Sequence, residues 1–222
     1  MKLKTMLAVV AVLGGLAFFT ARATSQDKPG AQAGGQQPSP EQAKAMQESM
    51  QKWMATLQPG EHHKQLEHFV GSWNTTTKIW WGGPGTPAVE TKGRSDVKWV
   101  LDKRFIMEEH HGEMPMPDET GAMKNVPYKG IGMTGYNNSR NVFESSWTSN
   151  LGTEMLTMRG GVDPSGKVFR YYGQMDEPMM DIVGRTVKYV NRIINDDKHV
   201  FEIIDLHAGD DYKVIELTYT RR

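Results

Sequence analysis

From Trp73 to the C-terminus the apolar side chains recur at every second position, the spacing of a strand with one buried face. Successive side chains then point to opposite sides, so each segment must bury its apolar face against others like it. Ten segments read this way: 72–81, 88–101, 104–112, 128–136, 140–149, 152–160, 167–174, 183–194, 198–207 and 212–221. Between them lie breakers such as Gly82-Gly83-Pro84-Gly85, Asn137-Asn138-Ser139, Asp163-Pro164-Ser165-Gly166, Asn195-Asp196-Asp197 and Gly209-Asp210-Asp211. Several are short enough for hairpins, so order in space should follow order in sequence. A twisted antiparallel sheet of that length closes on itself and loses its two exposed edges. The expectation is an all-β, up-and-down antiparallel barrel of about ten strands, occupying residues 61–222.

The ends of that barrel carry their own signals. In Phe69-Val70-Gly71-Ser72-Trp73 a glycine frees the backbone just before a tryptophan opens the first strand. Arg221, near the end of the last strand, can lay its planar guanidinium on the Trp73 indole and donate to nearby carbonyls. Gly71, Trp73 and Arg221 are therefore expected to close the barrel, a structural role.

Ahead of the barrel the chain changes character three times. Met1-Lys2-Leu3-Lys4 is a basic start, Met6 to Phe19 is an apolar run, and Ala21-Arg22-Ala23 is a small-x-small cleavage signal. Residues 1–23 thus read as a signal peptide, which predicts export to the periplasm or beyond and no stable membrane insertion after cleavage. Residues 24–39 are rich in Gly, Gln, Pro, Ala and Ser and read as a disordered linker. Residues 40–60 read as an amphipathic helix: Ser39 and Gln42 make a capping box around Pro40, and Pro59-Gly60 ends it. Met46, Met50, Trp53, Met54 and Leu57 form its apolar stripe. That stripe is expected to pack on the barrel or across its mouth, with peptide binding or dimerisation as the alternative. A second short helix, 61–70, should bury Leu66, Phe69 and Val70.

Composition removes several functions. With no cysteine in the chain there is no disulfide framework, no lipidation site and no thiol chemistry. Cleavage after residue 23 would remove Lys2, Lys4 and Arg22 and leave 23 basic against 26 acidic side chains. Without a basic cluster that balance argues against a nucleic-acid partner. Gly130-Ile131-Gly132 with Gly135 has the letters of a dinucleotide fingerprint, but a turn and a strand follow it, not a helix. The histidines show no metal-ligand spacing: His62, His63 and His68 miss the i, i+4 pattern, and His110 and His111 must face opposite ways on a strand. No metal site is expected.

What is left is the hollow of a ten-stranded barrel, wide enough for a small molecule unless aromatic and Met side chains fill it. Alternation places Trp73, Thr75, Thr77 and Ile79 inside, and likewise Phe143, Ser145 and Trp147. Parity with Phe105 and Met107 favours His111 as the inward histidine. Trp73, Tyr136, Trp147 and Tyr172 are expected as aromatic wall, with His111 and Glu216 as polar contacts to a small apolar or amphipathic ligand. Two alternatives stand beside that reading. A single inward histidine could bind haem iron from one side. An inward Glu202 or Glu216 of raised pKa could act as a general acid or base.

His63 to Leu66 leading to Gly71-Ser72-Trp73, then Gly132-Met133-Thr134-Gly135-Tyr136-Asn137, Ser146-Trp147-Thr148-Ser149 and the ending Glu216-Leu217-Thr218-Tyr219-Thr220-Arg221 resemble the bacterial family known as domain of unknown function 1579. The resemblance covers roughly residues 61–222. It implies a calycin-like barrel, similar in architecture to lipocalins, fatty-acid-binding proteins and nitrobindins, and brings no established activity. Members often carry an aspartate where this chain has Asn137 and another where it has Ser149, so two possible carboxylates are missing here.

Overall fold

The computed structural model describes residues 38–222, so the expected signal peptide and nearly all of the linker lie outside the described residues. Helix α1 (Pro40–Thr56) is followed by a one-turn helix α2 (Glu61–Lys64) and a 3₁₀ turn (Gln65–Phe69). Ten strands follow: β1 (Gly71–Ile79), β2 (Val89–Val100), β3 (Phe105–Pro117), β4 (Met123–Asn137), β5 (Val142–Ser149), β6 (Leu156–Val162), β7 (Val168–Glu177), β8 (Ile182–Asn195), β9 (Lys198–Asp205) and β10 (Lys213–Arg221). Each pairs antiparallel with its sequence neighbours, and β1 pairs with β10, so the sheet closes into one barrel. The expected strand count and topology are both met.

Two boundaries moved for one reason. Pro115, Pro117 and Pro127 lie in strand at the far end of the β3–β4 hairpin, where Met114 pairs with Val126 and Pro115 with Asn125. Sequence reading treats prolines as stops, but a proline fits a strand wherever its position calls for no ladder N–H. Met155, by contrast, belongs to the loop before β6.

The closed end of the barrel follows from the sequence around Trp73. Gly71 has φ of +135°, a region that side chains avoid, and a β-carbon there would run into the Arg221 guanidinium. Trp73 is wholly buried and its indole donates to the Phe69 carbonyl at 2.8 Å, tying β1 to the 3₁₀ turn. The Arg221 guanidinium carbon lies 4.2 Å from the Trp73 ring centroid. Its nitrogens donate to the carbonyls of Val70, His68 and Asp196 at 3.0–3.2 Å. Leu66 and Phe69 from the turn complete a plug with Phe143 and Phe169. Because one planar fork serves three carbonyls, Arg221→Lys is expected to lose about 2 kcal/mol, nearly as much as Arg221→Ala. Urea unfolding of both variants checks this; a lysine variant matching the parent would contradict it.

Helix α1 departs from expectation. Its capping box forms, with the Ser39 amide donating to Gln42 Oε1 at 2.9 Å and the Gln42 amide to Ser39 Oγ at 3.2 Å. Its apolar stripe does not pack: the helix has no buried residue, and Met46, Met50, Trp53, Met54 and Leu57 are all exposed. Its C-terminal end is held. Asn138 Nδ2 donates to the carbonyls of Thr56 and Gln58, and Arg104 Nη2 to that of Leu57. Among the described residues no helix is long and apolar enough to cross a membrane.

Candidate functional site

Above the aromatic plug lies a cavity of about 180 Å³. Its walls are largely apolar, with Val97, Ile106, Met158, Phe201, Ile203 and Leu217 among them. One polar arc interrupts them, built on β2, β3 and β10. The β2–β3 register sets Ser95 against His110 and Val97 against Glu108, and alternation turns Ser95, Glu108 and His110 to the same interior face. Ser95 Oγ lies 2.7 Å from Glu108 Oε1 and 2.8 Å from His110 Nδ1. From β10, on the far side of β1, the Tyr219 hydroxyl donates to the same Glu108 oxygen at 3.1 Å.

Counting donors orders this chain. With Glu108 ionised, the single Ser95 proton goes to the carboxylate, so His110 Nδ1–H must donate to Ser95 Oγ. His110 Nε2 is then an acceptor. Neither Nε2 nor Glu108 Oε2 has a protein hydrogen-bond partner among the described residues. Burial raises the Glu108 pKa, opposed by the hydrogen bonds from Ser95 and Tyr219. Burial, helped by neighbouring His111, drives His110 down to about 4. Burial likewise raises the Tyr128 and Tyr219 hydroxyls, so histidine and tyrosines are all neutral at pH 7. Among the described residues no lysine or arginine lines the cavity.

Trp147 reaches the cavity across a gap that two glycines leave open. β-Carbons at Gly130 or Gly132 would collide with its indole, and its Nε1 donates to the Tyr128 hydroxyl at 2.8 Å. Those glycines, read as a bend or a close approach, serve the second purpose, with a side chain as the approaching group. On the opposite wall, β8 and β9 carry Tyr189 and His199, whose hydroxyl and Nε2 are buried without partners. His199 stacks on Tyr219 at 4.2 Å, accepts or donates at Nδ1 with Asn191, and is pushed down to about 3 by burial, His68 and Arg221.

Of the residues expected as ligand contacts, only Trp147 lines this cavity. Trp73 points inward but is sealed in the plug below. Tyr136 also points inward, one row nearer the closed end, where His62 stacks on it at 4.2 Å and Phe143 packs at 4.9 Å. The inward placement of His111 is corrected: His110 is the buried one, and Phe105 lines a hollow on the outer surface with Met133 and Tyr172. Parity misled because the inner face of β3 is the more polar one, carrying Glu108 and His110 where the barrel is hollow. Tyr172 is half exposed and its neighbour Tyr171 faces in. Glu216 and Glu202 both lie on the outer face, joined through Lys213, with Arg192 on Glu202 at 3.1 Å. The acid–base role expected of those two glutamates is therefore withdrawn, and Glu108 is the interior carboxylate that sequence reading missed.

Ser95 does not qualify as a nucleophile, being wholly buried and spent between Glu108 and His110. Haem does not fit this site either. The enclosed volume is below the roughly 300–1,000 Å³ of pockets for drug-sized ligands, a porphyrin is a large flat ring, and the expected axial His111 is outside. Among the described residues no group of three or more histidine, aspartate or glutamate side chains is placed to hold a metal ion.

The fold and site define a closed antiparallel β-barrel with an internal, mostly apolar cavity and one polar arc. The chain belongs to the family described as Protein of unknown function (DUF1579), whose profile matches residues 58–221. No curated protein matches it. Among solved structures, a redesigned beta barrel is similar at 9% identity with a TM-score of 0.35, covering 71% of this chain and 95% of that chain.

Proposed function

We propose that this is an exported binding protein whose barrel takes up one compact, uncharged amphipathic molecule. The observation that carries the reading is the cavity of about 180 Å³, largely apolar, with Glu108 Oε2 and His110 Nε2 on one wall and the buried Tyr189 hydroxyl and His199 Nε2 on the other all without protein partners. Buried polar atoms without partners favour a ligand that supplies them. A cavity of about 150 Å³ is enough for a benzene-sized guest, so the fitting class is a single ring or short branched chain with a hydroxyl, carbonyl or amide group. A charged ligand would bring an ion into an apolar space with no fixed cation, at a cost of several kcal/mol. Export rests on the basic start, apolar run and Ala21-Arg22-Ala23 of the N-terminus.

Calorimetric titration with phenol, indole and cyclohexanol tests the binding. Saturable uptake at one site is expected, abolished in Leu217→Trp, which fills the cavity from its wall. Equal heats from the parent and the filled variant would contradict the reading.

A further inference from the structure

We propose that the cavity is also a proton-transfer site, with Glu108 as general base toward a small, uncharged carbon acid bound in front of it. The inference rests on the cavity reading above and adds chemistry to it. Three observations carry it. Glu108 is the carboxylate set deep in the cavity wall, and both of its protein hydrogen bonds fall on Oε1, leaving Oε2 toward the space. Its neighbours fix its orientation from three strands, through Ser95 on β2, Tyr219 on β10 and the β3 backbone itself. On the facing wall the Tyr189 hydroxyl is a donor with nothing to donate to.

A carboxylate stripped of water is a stronger base than one in solution, and an unspent donor opposite can meet the negative charge that develops as the proton leaves. The charged side chains that line the site, Glu108 and Glu113, are both acidic, so a neutral carbon acid enters without the penalty an anion would meet. The other titratable groups that line the cavity are Glu113 and His110 on the same strand as Glu108, Tyr128 from β4, Tyr171 from β7, Tyr189 from β8, His199 from β9 and Tyr219 from β10, and burial keeps both histidines neutral at pH 7. His110 Nε2 is placed to hold a hydrogen-bond donor of the substrate.

The reaction of 5-nitrobenzisoxazole tests this with a ring-sized probe. Glu108 Oε2 would take the proton from C3, the C–H electron pair would become the third bond of a nitrile, and the N–O bond would break with its pair left on the phenolate oxygen. The proton then passes from Glu108 to water, and the coloured phenolate reports each turnover. The expected result is catalysis above the buffer rate that rises with pH, with a midpoint above the ordinary carboxylate range. Glu108→Gln keeps the shape and both accepted hydrogen bonds, so it is expected to fold and to lose at least about a hundredfold in rate. Glu108→Asp should recover part of that loss, and Tyr189→Phe should slow the parent about tenfold or more with the pH midpoint unchanged.

Indole titration of the same proteins separates the two readings. Indole bound by parent and Glu108→Gln, with no turnover by the parent or an undiminished rate in the variant, overturns the base and leaves the binding cavity standing. No indole bound by any of them overturns both. An undiminished rate in Tyr189→Phe removes that hydroxyl from the proposal.

Discussion

Between pH 7 and pH 4 the barrel is expected to lose up to about 6 kcal/mol of stability, enough to unfold many domains of this size. The cause is a pair of buried histidines. His110 is held near 4 and His199 near 3 in the fold, while in the unfolded chain each titrates near 6.5. Below pH 6.5 the unfolded chain therefore takes up protons that the native state refuses. Each histidine contributes stability at neutral pH that is lost as the pH falls, at about 1.4 kcal/mol per pH unit, or roughly 3 kcal/mol by pH 4. Glu108 acts in the opposite sense. Its raised pKa favours the fold below the ordinary carboxylate value and disfavours it as the pH rises, so it softens the loss above pH 4.5 and no longer does so below. Urea unfolding at pH 7, 5.5 and 4 measures the slope. Replacing both histidines by asparagine should flatten it, and a parent equally stable at pH 7 and pH 4 would contradict the assignment.

Trp73→Ala is expected to cost about 3–5 kcal/mol, the range for removing a fully buried aromatic side chain. The loss is concentrated at one point of the fold. The indole packs under Arg221 at 4.2 Å, meets the His199 ring edge-on at 4.7 Å and holds the 3₁₀ turn through the Phe69 carbonyl. Without it the turn that carries Leu66 and Phe69 loses its anchor to β1, and the closed end opens to water. Trp73→Phe keeps much of the packing but not the N–H, so it should lie between the two. Thermal unfolding should place the alanine variant about 10 °C or more below the parent. A shift of only a degree or two would mean that the plug does not depend on this residue.

How legible the barrel was depended on which face of a strand carried the contrast. On β1 one face reads Trp73, Thr75, Thr77, Ile79 and the other carries Lys78, so inside and outside separate cleanly, and all four inner residues are buried. The closing set of Gly71, Trp73 and Arg221 was legible because each residue type has a narrow physical use: a positive φ, a large buried ring and a planar cation. On β3 the contrast is inverted. Phe105 and Met107 pack on the outer side of the wall, while Glu108 and His110 face a space that side chains do not fill. A hollow interior weakens the rule that apolar means inside, and it does so where a ligand would sit. The clue lay on the neighbouring strand, where Gly130 and Gly132 face His110 and Glu108 across the ladder and leave room that a filled core would not. Tyr171 and Tyr172 could not be separated by composition at all, since only register with Tyr189 and Gly160 turns the first inward. The stripe on α1 was legible as a stripe, yet periodicity cannot say what it packs against, and it lies exposed.

The central claim is that the barrel interior is a site for a small neutral molecule and not a space closed by its own side chains. Native mass spectrometry of the protein purified gently from the cells that make it tests this most directly. The account predicts one discrete added mass of a compact neutral compound, released on acid unfolding and missing from Leu217→Trp prepared the same way. A spectrum showing only the bare chain for the parent, or the same added mass on the filled variant, would contradict it.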